Sequence, residues 1–373
     1  MTSFFITIIF MFLLIRLSHY ISKKFNSQGF FISPPFIGAI LLLSLSSISY
    51  YVFEWPIRFN IYSERLFVTI FLFSIGFQIA LIYTKLHWKR FFLFIGICAI
   101  LLLLLALPFF IVKGDIKWIF GTLMFGYTEE MVHRVAPVDL YEKIFYWSTI
   151  QMGIVFFLTP ILLLFIEKKL FPSLPRPSNL SNNGEKLSLQ LSLEFIMIIF
   201  LGAVIVIVKK LVLQETIPFL FDFVISMFIG FGYGKWSEAK LALEKLQKRN
   251  ETLHQLGTIG LYAFIIISIN DVVYLNGTLF ESSLLIWLLI KTVVVAVISI
   301  ISVRFFFKKF SYTESLVAIV AGWTFMLNAP VVCMHGMRTV VNKYGPAPDV
   351  LLIVPPVILW LVNYLHLMLY LIL

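Results

Sequence analysis

Long apolar stretches recur along this chain, and each is about as long as the roughly 20 residues that a helix needs to cross a bilayer. Hydrophobic residues make up 60% of the 373 residues and charged residues only 13%, which is too little charge to coat a soluble domain of this size. The pattern therefore predicts an all-α, multi-pass membrane protein. Twelve hydrophobic segments can be drawn: 2–19, 34–53, 66–84, 91–112, 116–138, 145–166, 188–208, 217–234, 256–275, 282–306, 313–340 and 351–373.

The charged loops predict how the chain is threaded. The net charge is +10, and Lys and Arg lie mostly in short loops, where they mark the cytoplasmic side; no nucleic-acid partner is therefore predicted. Basic loops follow segments one and three in the first half, but segments six, eight and ten in the second half. This change of parity requires that one segment between the third and the sixth does not cross fully. Segment five is the predicted re-entrant or broken helix, and segment eleven is its counterpart.

The widest polar break divides the chain nearly in half. We predict a first inverted repeat over 1–167, a cytoplasmic linker over 168–187 and a second inverted repeat over 188–373. Each repeat would hold five spans plus one re-entrant or broken helix, and an odd number of crossings inverts the second repeat and leaves both termini outside. The run 235–251 alternates in charge, which predicts a cytoplasmic connecting helix.

Segment five carries charges that cannot face lipid. Thr128, Glu129, Glu130 and Arg134 lie close together in it, and an unpaired charge in hydrocarbon costs several kcal/mol, so the cluster predicts a polar cavity. We expect Glu129 or Glu130 to bind a coupling cation or carry a proton, and Thr128 and Arg134 to bind the substrate. The alternative is a structural ion pair of Glu130 with Arg134 at helical i, i+4 spacing.

Segment eleven is interrupted by Asn328, Ala329 and Pro330. Proline removes a backbone donor, and a half-helix that begins there directs its positive end toward an anion such as a substrate carboxylate. These three residues, with Arg338 further along, are the second part of the predicted substrate site. The alternatives are a simple proline kink and an Arg338 side chain that extends to the membrane surface.

Asn270 and Asp271 end segment nine. Their oxygen atoms suit a hard cation, so we predict a sodium or coupling site there. A solvated loop boundary explains the same residues equally well.

Four short motifs open or close predicted spans: ISPPFIG at 32–38, LGTIGL at 256–261, NKYGP at 342–346 and VP at 354–355. In order and spacing they resemble the glutamate:sodium symporter family over nearly the whole chain. The resemblance implies a homodimer in the bacterial inner membrane, surrounded by lipid, with two inverted five-span repeats and re-entrant hairpins. It also implies sodium-coupled symport of glutamate by an elevator-like mechanism.

Two functions of different classes follow. The first is a secondary active transporter of glutamate or a related amino acid or small organic anion, with Na⁺ or H⁺ as coupling ion, no cofactor and no metal beyond sodium. The alternative is a non-transporting receptor or assembly protein that keeps the symporter fold, because segment five reads GYTEEMVH at 126–133 where the family has a glycine-rich stretch. An enzyme is not expected, since no Ser or Cys nucleophile stands at a recognisable spacing from the intramembrane His and Glu residues.

Overall fold

A computed structural model describes residues 2–26, 33–59, 61–82, 96, 138–169, 222–275, 279–306, 312–327, 330–345 and 347. Within these ranges every regular element is a helix, as the all-α prediction requires. Six helices are long and apolar enough to cross a membrane: Ile6–Phe25, Pro34–Phe53, Ser63–Leu81, Glu142–Ile166, Leu243–Tyr274 and Ser282–Arg304. The prediction of several apolar helices of spanning length is therefore confirmed for the described residues.

The helices are numbered along the chain within these ranges. They are α1 (Thr2–Asn26), α2 (Pro34–Phe53), α3 (Ile61–Ile82), α4 (Val138–Lys169), α5 (Asp222–Lys240), α6 (Leu243–Asn270), a 3₁₀ turn (Asp271–Tyr274), α7 (Ser282–Phe306), α8 (Tyr312–Met326) and α9 (Pro330–Tyr344). Segments four, five, seven and twelve fall outside the described residues, apart from Gly96 and Val138.

The limits of α2 follow from its sequence. Ser33 has an extended backbone, and Pro34 and Pro35 occupy the first turn, where a helix does not need their missing N–H groups. At the other end, Glu54 adopts a φ of 57° and its N–H donates to the Tyr50 carbonyl at 3.1 Å. The helix therefore covers the same residues as predicted segment two.

The prediction of one connecting helix over 235–251 is wrong. Helix α5 continues to Lys240 and α6 begins at Leu243, so the run is divided between two long helices. Hydropathy falls after Gly234, but the following Glu, Ala and Lys residues are strong helix formers and extend α5 beyond its apolar part.

The chain forms two compact units. Unit 1 comprises Met1–Lys85 and Ser181–Asn270, and unit 2 comprises Leu86–Leu180 and Asp271–Leu373. Each unit thus takes one stretch from the first half of the sequence and one from the second.

In unit 1, α3 packs along both α5 and α6. Glycines allow the backbones of α3 and α5 to meet: a Cβ at Gly76 would collide with the Met227 carbonyl oxygen, and a Cβ at Gly230 with the Phe73 carbonyl oxygen. Small residues at such contacts are how helices approach closely where lipid removes the hydrophobic driving force. Polar side chains join α3 to α6 as well, among them Ser74, Gln78 and Glu64, which bond Leu253, His254 and Ser268 at 2.7, 3.0 and 2.7 Å.

We expect Gly230→Ala to destabilise the protein by about 1–3 kcal/mol, because the new methyl group collides with the backbone of α3 and the helices must separate. Gly232 is the matched control: it lies on the same helix, and a Cβ there would meet nothing within 4 Å. Thermal unfolding in detergent measures both. Gly230→Ala should lower the midpoint, whereas Gly232→Ala should leave it unchanged or raise it; equal midpoints would contradict the close packing of α3 and α5.

In unit 2, α8 and α9 pack against each other and both contact α4, while α7 packs against α8. One face of α7 is turned toward the protein, because its buried residues recur every three or four positions: Leu284, Leu288, Lys291, Val295, Ser299 and Val303. The candidate site lies in this unit.

Candidate functional site

Helices α8 and α9 form a hairpin. Near its open end, the Thr313 hydroxyl donates to the Tyr344 carbonyl at 3.0 Å, and closer to the turn the Cys333 thiol lies 3.7 Å from the Ala321 carbonyl oxygen. The two helices are therefore antiparallel. Each has 15 residues and is about 22 Å long, which is less than the roughly 30 Å of a bilayer core.

The hairpin confirms the predicted interruption of segment eleven. Helix α8 ends at Met326, Leu327 makes a turn, and α9 begins at Pro330. A simple proline kink does not describe this arrangement, because the chain reverses its direction. The start of α9, with its positive dipole end, therefore lies at the tip of the hairpin.

The tip is hydrogen-bonded to the middle of α4. The Gln151 side-chain nitrogen donates to the Leu327 carbonyl, and both residues are buried. Gln151 lies in the middle third of the span Glu142–Ile166. Its bond to the hairpin therefore places the tip at the level of the middle of a helix that is long and apolar enough to cross a membrane.

Two buried polar atoms on α4 have no hydrogen-bond partner among the described residues. They are the Trp147 indole nitrogen, a donor, and the Gln151 side-chain oxygen, an acceptor. The Trp147 side chain is fully buried, and its ring stacks on Phe280 with centroids 6.1 Å apart. A buried indole N–H or amide oxygen is usually bonded, so both atoms indicate a place for a polar ligand.

A buried lysine lies on α7, the helix that packs against α8. Lys291 is only 4% exposed, is in the middle third of the span Ser282–Arg304, and has its ammonium 5.3 Å from the centre of the Trp287 ring. The adjacent Thr292 carbonyl accepts a hydrogen bond of 3.1 Å from the Trp323 indole of α8. Lys291 therefore lies in the part of α7 that packs against α8 of the hairpin.

Sequence analysis missed both Lys291 and Gln151. One lysine does not cancel the hydropathy of so apolar a segment, and a single amide in a span is more often a helix–helix contact than a binding group. The available signal was position, since an ionisable or strongly polar residue near the middle of a span is rare and marks function by default.

Arg338 is predicted to bind substrate, and the structure places it on α9 with 7% of its surface exposed. It is buried with its neighbour His335, whose ring lies 6.0 Å from that of Phe156 on α4. An Arg338 that extends to the membrane surface does not fit this burial. Arg338 follows Pro330 by more than two turns, which is about 12 Å along the helix axis. It therefore lies away from the tip, toward the open end of the hairpin.

Asn270 ends α6 in unit 1 and is 1% exposed, so the solvated loop boundary is wrong for this residue. Its side-chain nitrogen donates to the Ile57 carbonyl at 3.1 Å, and its side-chain oxygen has no partner among the described residues. Asp271 opens the 3₁₀ turn of unit 2 and is half-buried. The sodium site at these residues stays a prediction.

The other predicted site residues lie outside the described residues: Thr128, Glu129, Glu130, Arg134, Asn328 and Ala329. Pro330 is described through its backbone, as the first residue of α9.

The described part of unit 2 thus combines a helix start, an unsatisfied donor, an unsatisfied acceptor and a buried ammonium around one hairpin. Across the described residues, no group of three or more His, Cys, Asp or Glu side chains is placed to hold a metal ion. Such a site can bind a small polar molecule that carries negative charge. Comparisons with known proteins add nothing to this chemistry, because no family model, curated protein or solved structure matches the chain.

Proposed function

We propose that this protein is a secondary active transporter of a small organic anion or amino acid, which it binds at the tip of the α8–α9 hairpin. The hairpin is the observation that carries the proposal. Its 15-residue helices are too short to span, and Gln151 bonds its tip at mid-span. Irregular backbone at that depth is tolerated only where protein or a water-filled cavity surrounds it, which is what a substrate site requires.

Charge supports an anionic group on the substrate. An ionisable residue in the middle of a bilayer span marks a substrate or ion pathway by default, and a lysine there favours a substrate that carries negative charge. The start of α9 adds the partial positive charge of a helix N-terminus at the tip. A carboxylate is the simplest group that both features would favour.

The division into two units supports the inverted-repeat organisation. If the halves 1–167 and 188–373 are repeats, each unit combines a stretch of the first repeat with the matching stretch of the second. Unit 1 takes the opening part of each half and unit 2 the closing part, as expected if one symmetry operation relates the two stretches within each unit. We further propose that unit 2 carries the substrate by an elevator-like displacement.

The remaining parts of the proposal rest on the sequence. They are coupling to Na⁺ or H⁺ through Glu129 or Glu130, a homodimeric assembly, a bacterial inner-membrane location and termini outside. Glutamate or a related carboxylate remains the proposed substrate class.

Uptake into proteoliposomes tests the function. The purified protein should accumulate at least one radiolabelled amino acid or carboxylate when a sodium or proton gradient points inward, and dissipating that gradient with an ionophore should abolish accumulation. Protein-free liposomes are the control. A stably folded protein that moves no member of the panel under either gradient would contradict transport and favour the receptor or assembly alternative.

A further inference from the structure

We infer that the end of unit 1 at which α5 turns into α6, residues 235–251, binds anionic phospholipids. The Trp236 indole lies at the level of the lipid headgroups, and the exposed lysines beyond it bind their phosphate oxygens. The inference concerns a surface remote in sequence from the candidate site and does not depend on the proposed transport function. It is carried by one exposed stripe of α5 and by the charge of the adjoining start of α6.

The packing of α3 and α5 indicates on which side of the membrane this α5–α6 end lies. A Cβ at Gly230 would collide with the backbone of Phe73, and a Cβ at Gly234 with Ala80, so the two helices run in the same direction. Parallel helices end on the same side, which agrees with the predicted cytoplasmic position of the basic loops after segments three and eight. The α5–α6 end therefore lies on the predicted cytoplasmic side.

Helix α6 shows that this end extends beyond the hydrocarbon core. The span Leu243–Tyr274 has 32 residues and is about 48 Å long, whereas a bilayer core is roughly 30 Å thick. The surplus length falls at the start of α6, where charged residues are frequent, because its long run of buried residues begins only at Leu256.

One exposed stripe of α5 changes from apolar to basic toward this end. Phe228, Gly232, Trp236 and Lys240 follow each other at intervals of four residues, and all four are exposed. Residues at this spacing share a helix face and are about 6 Å apart along its axis. An order of apolar residue, indole and ammonium matches the order of hydrocarbon, interface and headgroup at a bilayer surface.

The Trp236 ring is held in place although 52% of the residue is exposed. It stacks on Tyr233 with ring centroids 5.7 Å apart, and Tyr233 packs against Phe73 and Phe77 of α3 at 5.8 Å each. The Arg249 guanidinium of α6 lies 5.3 Å from the centre of the same Tyr233 ring. These contacts fix an amphipathic indole at the surface, as expected of an interfacial anchor.

The charge of the α5–α6 end complements an anionic headgroup. Among these residues Lys240, Lys245 and Lys248 are exposed, whereas Lys235 pairs with Glu238 at 2.8 Å. Basic residues outnumber acidic ones by five to three: Lys235, Lys240, Lys245, Lys248 and Arg249 against Glu238, Glu244 and Glu251. A cluster of this size just beyond a span attracts anionic lipid. A phospholipid also supplies acyl chains for the apolar part of the stripe, which a soluble anion does not.

Quenching of Trp236 fluorescence by lipid tests the inference. The protein is reconstituted into phosphatidylcholine vesicles that contain either brominated phosphatidylcholine or brominated phosphatidylglycerol, since bromine quenches the indoles that lipid contacts. Trp236→Phe keeps an aromatic ring against Tyr233, so the difference between the wild-type protein and this variant isolates the Trp236 signal. Phosphatidylglycerol should be preferred over phosphatidylcholine at least fivefold at this position, and the preference should fall as salt is added.

Two substitutions of opposite sign supply the second readout, each compared with its own Trp236→Phe counterpart. Lys240→Gln removes a positive charge one turn beyond Trp236 and should lower the preference about fivefold, which is the share of one lysine near a membrane surface. Glu244→Gln removes a negative charge from the first turn of α6 and should raise the preference. Both side chains are exposed, so the unfolding midpoint should not change.

Three results would overturn the inference. Equal quenching by the two lipids, or a preference that neither substitution changes, would mean that the lysines do not select an anionic headgroup. A Trp236 signal that neither brominated lipid quenches would mean that water, another protein or a second copy of this chain covers the stripe. None of these results bears on uptake, so the proposed transport function stands or fails separately.

Discussion

Lys291→Met should reduce uptake about 100-fold while leaving the protein folded. The ammonium is buried at mid-span beside the hairpin, and a charge-assisted interaction with a substrate carboxylate contributes up to about 3 kcal/mol, which is a factor of roughly 150 in affinity. Methionine has a similar length and no charge. It fills a similar volume, so the packing of α7 against α8 should be kept and the protein should remain folded.

Two further variants sharpen this result. Lys291→Arg keeps the charge and should retain part of the uptake. Arg304→Met removes a charge from the exposed C-terminal end of the same helix and should change uptake less than twofold. If Lys291→Met lowers the unfolding midpoint and uptake together, the lysine stabilises the fold and is not a substrate group.

Local sequence signals predicted the helix starts and breaks well. Pro34 and Pro35 mark the first turn of α2, and Pro330 marks the start of α9, because proline is tolerated only where a helix does not need its N–H. Hydropathy was a poorer guide to the end of α5, because it falls before the helix ends.

The tertiary contacts of the candidate site could not be predicted in this way. Gln151 and Leu327 are 176 positions apart, and no periodicity in either segment indicates that they meet. The interruption at Pro330 follows from the residues, and the re-entrant hairpin is what the resemblance implies, but neither indicates that the tip bonds Gln151. Burial of Lys291 depends on which face of α7 packs against α8, and the segment is too uniformly apolar to reveal that face.

Loop parity, intramembrane charges and a proline single out segments five and eleven in the sequence. For segment eleven the structure supplies a hairpin and a buried Arg338, and it adds Gln151, Trp147 and Lys291 from helices that the motifs do not include. The candidate site is thus broader than the sequence motifs, and its additional residues come from α4 and α7.

If the hairpin tip is the substrate site that we propose, it should open to each side of the membrane in turn. Single cysteines test it in a Cys98→Ala, Cys333→Ala background, with a membrane-impermeant maleimide applied to right-side-out and inside-out vesicles. Leu327→Cys reports on the tip and Thr313→Cys on the open end of the hairpin, which the charge pattern places on the cytoplasmic side.

We expect Leu327→Cys to react from both sides of the membrane and to be protected by a transported amino acid, because an alternating site must be reached from each side. Thr313→Cys should react from the cytoplasmic side alone. If Leu327→Cys reacts from only one side, or from neither, under every sodium and proton gradient applied, the tip is not an alternating substrate site and the account is wrong.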